Sequence, residues 1–177
     1  MINRFLKFIK RKLLPMDILA KEAGVNIGED NFVSDCFWST APYLITIGSH
    51  CQITGGVKLF THGGGQVLRH EDPDFDAFGK VVIGDYVYLG TNSLVMPGVT
   101  IGNNVLVAAG SVVTKSVPSG CVIGGNPARI ICTIEEYKKK NEEYNLKSKR
   151  LCDKEKKQKL LQLENDKFII KPYMTNK

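Results

Sequence analysis

Residues 81–131 read VVIGDYVYLGTNSLVMPGVTIGNNVLVAAGSVVTKSVPSGCVIGGNPARII, and an aliphatic side chain recurs every six positions at Ile83, Leu89, Val95, Ile101, Val107 and Val113. A period of six fits neither the 3.6 of an α-helix nor the 2 of an ordinary strand. It suits a strand of about four residues followed by a two-residue corner, so that three hexads close one triangular coil of about eighteen residues. Coils of this kind stack and pair as parallel strands, and the stack buries a continuous aliphatic core that no single coil could bury alone. Gly84-Asp85, Gly102-Asn103-Asn104 and Gly110 supply corners where a β-carbon is crowded or φ turns positive.

The same register extends back through Ile27 and Val33, and through Ile47, Ile53 and Leu59. It breaks twice. Between Val33 and Ile47 the spacing is fourteen, so SDCFWSTAPYL (34–44) holds a small insertion or a loosely formed coil. Between Leu59 and Ile83 the run THGGGQVLRHEDPDFDAFGKVV (61–82) lacks the repeat and carries acids, glycines and Pro73, which predicts a loop extruded over about 62–80.

With 177 residues, 43% hydrophobic and 24% charged, the chain suits one soluble domain with short appendages. The net charge of +6 is uneven: residues 1–12 hold five Lys/Arg and no acid, 13–132 hold six against ten acids, and 133–177 hold thirteen against eight. An acidic body with basic ends does not suit nucleic acid. The five scattered cysteines form no metal or dithiol pair and read as free thiols of a reducing compartment. MINRFLKFIKRKLLPM (1–16) lacks a cleavage site, and no stretch reaches the ~20 apolar residues of a membrane span, so a cytoplasmic protein is expected.

Residues 1–23 read as a basic amphipathic helix whose stripe of Ile2, Phe5, Leu6, Phe8, Ile9 and Leu13 either caps the coil stack or lies on an anionic membrane face. Residues 133–165 read as a charged, solvated helix, followed by a tail to 177 that is a strand or disordered.

Over residues 24–132 the chain resembles the hexapeptide-repeat acyltransferases, including galactoside, maltose and capsule or O-antigen acetyltransferases; its VVIGDYVYLG…GGNPAR run carries that likeness. The resemblance implies an all-β main domain, a left-handed parallel β-helix with an extruded loop and short N- and C-terminal helices. The hand comes from the family alone, since parallel crossovers are right-handed by general rule. It also implies acetyl-CoA as co-substrate and a homotrimer with active sites at subunit interfaces; the acids and histidines are not arranged as ligands, so no metal is expected.

Attack of a hydroxyl on a thioester needs a base, and imidazole, with an unperturbed pKa of ~6.5, suits that task. Of the three histidines, His50 falls at a repeat corner and His70 within the loop, where it can contact acceptor. His62 ends GVKLFTH and precedes Gly63-Gly64-Gly65, at the junction where the resemblance places the catalytic histidine. The glycines can offer amides to an oxyanion. By resemblance, Tyr88, Gly90, Thr91, Ala109, Thr114, Lys115, Asn126 and Arg129 match acetyl-CoA contacts, with Lys115 and Arg129 meeting phosphates. Asn126 and Pro127 equally suit a plain coil-ending turn. Ser34, Asp35, Trp38 and Tyr43 are acceptor-side candidates, Trp38 offering its face to a sugar ring or to the core.

GGVKLFTHGGG (55–65) is most similar to the capsule and O-antigen group, and that resemblance implies an acetyl-CoA-dependent O-acetyltransferase acting on a sugar hydroxyl of a cell-surface polysaccharide, free or glycolipid-linked. The alternatives are an N-acetyltransferase of an amino sugar, a xenobiotic acetyltransferase, and a non-catalytic β-helix scaffold.

Overall fold

In the computed structural model, residues 14–175 are described. The apolar stripe expected from Ile2 to Leu13 therefore lies outside them. Helix α1 (Met16–Ala23) follows Pro15, carries Asp17 in its first turn, and stops at Gly24, whose φ of +106° is left-handed. Its Ala20 is fully buried in the same apolar cluster as the repeat residues, so α1 closes the first coil.

Strands follow one another around three faces. The first sheet contains β1 (Asn26–Ile27), β4 (Ile45–Ile47), β7 (Val81–Ile83) and β10 (Thr100–Ile101). The second contains β2 (Phe32–Val33), β5 (Gln52–Ile53), β8 (Tyr88–Leu89), β11 (Leu106–Val107), β13 (Cys121–Gly125) and β14 (Ala128–Thr133). The third contains β3 (Cys36–Phe37), β6 (Val57–Leu59), β9 (Leu94–Val95) and β12 (Val112–Val113). All pairs are parallel except the terminal β13–β14 hairpin. This is the left-handed β-helix.

The register places Ile27, Ile47, Ile83 and Ile101 in one column and Val33, Ile53, Leu89, Val107 and Ile123 in another, with Leu59, Val95 and Val113 in the third. Each fully buried member stabilises the stack by roughly 1.5–3 kcal/mol. A second inward position lies two residues earlier, because alternate residues of a strand share a face. Ile45, Val81, Cys51, Val87, Val105, Val57, Ser93 and Ser111 fill it, all buried.

The irregular segment 34–44 contains a strand after all. Cys36 and Phe37 pair with Val57 and Lys58, which brings Trp38 opposite Leu59, and Trp38 packs half-buried against the core. Here the third face is reached after five residues instead of six, and Trp38 serves as a half-buried column residue.

Corner residues explain the Gly-Asp and Gly-Asn pairs. The Glu29 amide donates to Ser49 Oγ (3.1 Å), that of Ser49 to Asp85 Oδ1 (2.7 Å), that of Asp85 to Asn103 Oδ1 (2.9 Å) and that of Asn103 to Ser119 Oγ (2.9 Å). Each coil caps the amide of the coil before it. The preceding glycines must be bare: a β-carbon on Gly84 would strike the Asn103 side chain. His50, at φ +59°, belongs to such a corner, stacked on Tyr86 at 4.7 Å and paired with Asp30 at 3.6 Å.

The charged segment forms a separate unit over Glu135–Lys177. Where one helix was expected, there are two, α2 (Ile134–Asn141) and α3 (Asp153–Leu161), with a 3₁₀ turn at Glu142–Tyr144 between them. Asn145 and Lys147, the latter at φ +47°, interrupt the helical path, and few apolar side chains oppose that break. Glu155 caps the Cys152 amide at the start of α3 (3.0 Å). No helix among the described residues is long and apolar enough to cross a membrane.

Candidate active site

Strand β6 delivers Phe60, then Thr61, then His62 to one corner of the second coil. Thr61 is fully buried and its carbonyl accepts the Gly79 amide (2.7 Å). His62 pairs antiparallel with Phe78, so the excursion leaves and rejoins the stack through adjacent positions. The return is tight: a β-carbon on Gly79 would run into the Pro97-Gly98 backbone of the next coil. Within the loop, Gly64 takes φ +81°, a 3₁₀ turn spans Gly65–Val67, and Arg69 donates to the Phe75 carbonyl (3.1 Å). Around Gly63 and Gly64 a β-carbon would meet nothing within 4 Å, leaving the backbone beside His62 open.

The His62 ring, half-buried, lies 4.8 Å from the Phe78 ring at 32°. The hydroxyls around it come largely from the first coil. Thr40 Oγ1 stands 3.1 Å from Nε2, while Thr61 Oγ1 and Ser39 Oγ stand 3.3 and 3.5 Å from Nδ1. Thr61 Oγ1 also donates to Ser39 Oγ (2.9 Å). Ser39 reaches this place through a left-handed φ of +58° directly after Trp38.

Ser39, Thr40, Thr61 and Phe78 were not singled out from sequence. The signal was present for the first two, inside the segment where the period breaks, but isolated hydroxyls carry no pattern.

The acceptor-side candidates are more dispersed. Asp35 shares a surface pocket of about 250 Å³ with Cys36, Phe37 and Lys58. Half-buried Ser34 donates its amide to the Ile53 carbonyl (2.8 Å). Tyr43 is 71% exposed in the 3₁₀ turn Pro42–Leu44. His70 is exposed and pairs with Glu71 at 3.2 Å.

The cofactor candidates fall into two groups. Along the corner after the second sheet, the Thr91 hydroxyl donates to Thr54 Oγ1 (3.3 Å) and the Thr91 carbonyl accepts the Gly110 amide beside Ala109. Gly90 is buried there with its amide on the Val107 carbonyl (2.8 Å), and a β-carbon on it would strike the Ala109 backbone. Tyr88, on the outward side of β8, is 37% exposed. The second group lies at the last coil. Lys115 and Arg129 line a cavity of about 390 Å³ with an apolar floor of Val113, Val117 and Ile123. Thr114 is exposed beside Lys115, and Asn126 is exposed in the β13–β14 turn. An apolar floor with two cations fits a ligand that joins an uncharged arm to phosphates. By register, His62 and Lys115 occupy the corner after the third sheet two coils apart, about 10 Å at strand spacing.

Three of the five thiols are poorly placed for a nucleophilic role. Cys36, Cys51 and Cys121 are buried. Burial, with Asp35 adding to it, pushes the Cys36 thiol far above the ordinary cysteine range. Among the described residues no cluster of three His, Cys, Asp or Glu could hold a metal ion.

Comparison with known proteins agrees with this architecture. Residues 80–115 match the family model for bacterial transferase hexapeptide, six repeats. Protein CapG of Staphylococcus aureus is 48% identical over 86% of this chain and 90% of its own length. The putative lipopolysaccharide biosynthesis O-acetyl transferase WbbJ of Escherichia coli is 39% identical over 61% of this chain and 60% of its own. A hexapeptide-repeat acetyltransferase of Vibrio cholerae, solved in complex with acetyl coenzyme A, is 34% identical with a TM-score of 0.56, covering 62% of this chain and 60% of that one. The chain thus spans less than two thirds of the last two proteins. The chain belongs to the hexapeptide-repeat transferase family. Within that family it is an acetyltransferase.

Proposed function

We propose that the protein transfers an acetyl group from acetyl-CoA to a hydroxyl of a cell-surface polysaccharide sugar, with His62 as general base. One observation carries the reading: a hydroxyl oxygen, that of Thr40, already stands 3.1 Å from Nε2, within the reach a base needs of the proton it removes. The acceptor hydroxyl takes that place, and Nε2 accepts its proton as the oxygen attacks.

Acetyl-CoA supplies the activated thioester and a thiolate leaving group. Lys115 and Arg129 hold its phosphates over the apolar floor of the last coil, and the open backbone at Gly63 and Gly64 offers amides to the carbonyl oxygen. No acyl-enzyme is required, which agrees with the burial of Cys36, Cys51 and Cys121. The groups around Thr91 and around Lys115 lie on different corners of one chain, so a second copy that joins two corners completes the site, as the active homotrimer requires. The sugar reading is supported by the likeness to the lipopolysaccharide O-acetyl transferase. The acceptor meets the enzyme in the cytoplasm.

The test is thiol release from acetyl-CoA across a panel of sugars, free and lipid-linked, with products identified by mass spectrometry. O-acetylated sugar is expected. Exclusive transfer to amines or to non-carbohydrate hydroxyls would overturn the substrate class.

A further inference from the structure

The hydroxyls at Nδ1 decide which ring nitrogen carries the proton. Thr61 is fully buried, so its hydroxyl proton must find a protein acceptor, and the nearest is Ser39 Oγ at 2.9 Å. With that proton spent, the Thr61 oxygen faces Nδ1 at 3.3 Å as an acceptor. Ser39 Oγ also accepts the Thr61 amide at 3.4 Å, which fills its second lone pair. Half-buried Ser39 keeps an O–H of its own that solvent can take, and its contact with the ring is the longest of the three, at 3.5 Å. The group left to donate across the Thr61–ring contact is Nδ1–H. On the other side of the ring, the Thr40 hydroxyl then donates to Nε2.

We infer that Thr61, backed by Ser39, is a positioning residue that holds His62 as the Nδ1–H tautomer and so keeps Nε2 free to take the acceptor's proton. In many hydrolytic triads a carboxylate holds the histidine; here a buried threonine does so, passing the hydrogen bond to a serine from the preceding coil. The inference rests on His62 acting as base, yet it concerns a different observable. Thr61 also anchors the loop through its carbonyl, so its hydroxyl joins the loop closure to the ring. Phe78, tilted against the ring at 4.8 Å, limits rotation that would exchange the two nitrogens.

The experiment reads the tautomer directly. Two-bond nitrogen–proton correlation spectra of the intact protein, with 15N-labelled histidine and the imidazoles held neutral at mildly alkaline pH, separate the two nitrogens of each ring. His50→Gln and His70→Gln variants assign the signals. A protonated Nδ1 and bare Nε2 for His62 are expected; a protonated Nε2 would overturn the inference. Alongside, Thr61→Val is expected to cut kcat at least about tenfold, with the KM for acetyl-CoA unchanged and most activity kept in Thr61→Ser. Equal losses in the valine and serine variants would show a packing role and overturn it. If His62→Ala were fully active, the base assignment would fall, whatever the tautomer.

Discussion

Thr40 and His62 are 22 residues apart in sequence, yet the threonine Oγ1 lies 3.1 Å from the imidazole Nε2. The segment where the hexad period first breaks therefore meets the residue where it breaks again. The two irregularities build one site on an otherwise regular stack.

On the proposed mechanism the acceptor hydroxyl takes the place of the Thr40 hydroxyl during transfer, so the latter is dispensable. Thr40→Ala should keep kcat within a few-fold of wild type and should not raise the acceptor KM. Steady-state kinetics with the best sugar of the panel check this; a collapse of kcat would mean that Thr40 takes part in proton transfer.

Lys115 and Arg129 face one cavity as its two cations. Replacing either with alanine should raise the KM for acetyl-CoA roughly tenfold, consistent with loss of one charge-assisted phosphate contact, and leave the acceptor KM unchanged. Titration with the 3′-dephosphorylated analogue shows which cation meets that phosphate: its variant should no longer distinguish the two forms.

Two buried side chains of the core should respond in opposite directions. Leu89 is fully buried, and Leu89→Ala should cost about 2–5 kcal/mol in denaturant unfolding. The Ser93 hydroxyl, also fully buried, has no hydrogen-bond partner among the described residues. Ser93→Ala removes that desolvated group and should raise stability by about 1 kcal/mol.

Thiol reactivity should separate the cysteines. Burial disfavours the thiolates of Cys36, Cys51 and Cys121, first by desolvation, whereas Cys152 is exposed. An aromatic disulfide reagent at neutral pH should modify Cys152 rapidly in the folded protein and Cys36 only after unfolding. Peptide mapping of the adducts decides it.

The six-residue period made the stack legible, because each coil buries the same kind of residue at the same corner. It hid the inward position two residues earlier, where Val, Ile, Cys and Ser alternate without a common type. Trp38 was ambiguous from sequence because its column position follows Val33 by five residues, and only the pairing of Cys36 with Val57 reveals that it continues the Leu59 column. His62 stood out because it ends a coil at the junction where the family resemblance places a histidine. Its neighbours were not: Ser39 and Thr40 reach it through a left-handed turn, and long-range closure of that kind leaves no periodic trace. The break between α2 and α3 was equally hidden, since a charged segment with sparse apolar residues reads alike whether its helix is continuous or interrupted.

The most direct measurement of the account is the rate of acetyl-CoA thiol release in the presence of acceptor, wild type against His62→Ala, with circular dichroism confirming that both are folded. Loss of general-base catalysis predicts a fall in kcat of about 10²–10⁴-fold at an unchanged KM for acetyl-CoA. A folded His62→Ala enzyme with wild-type kcat would contradict it.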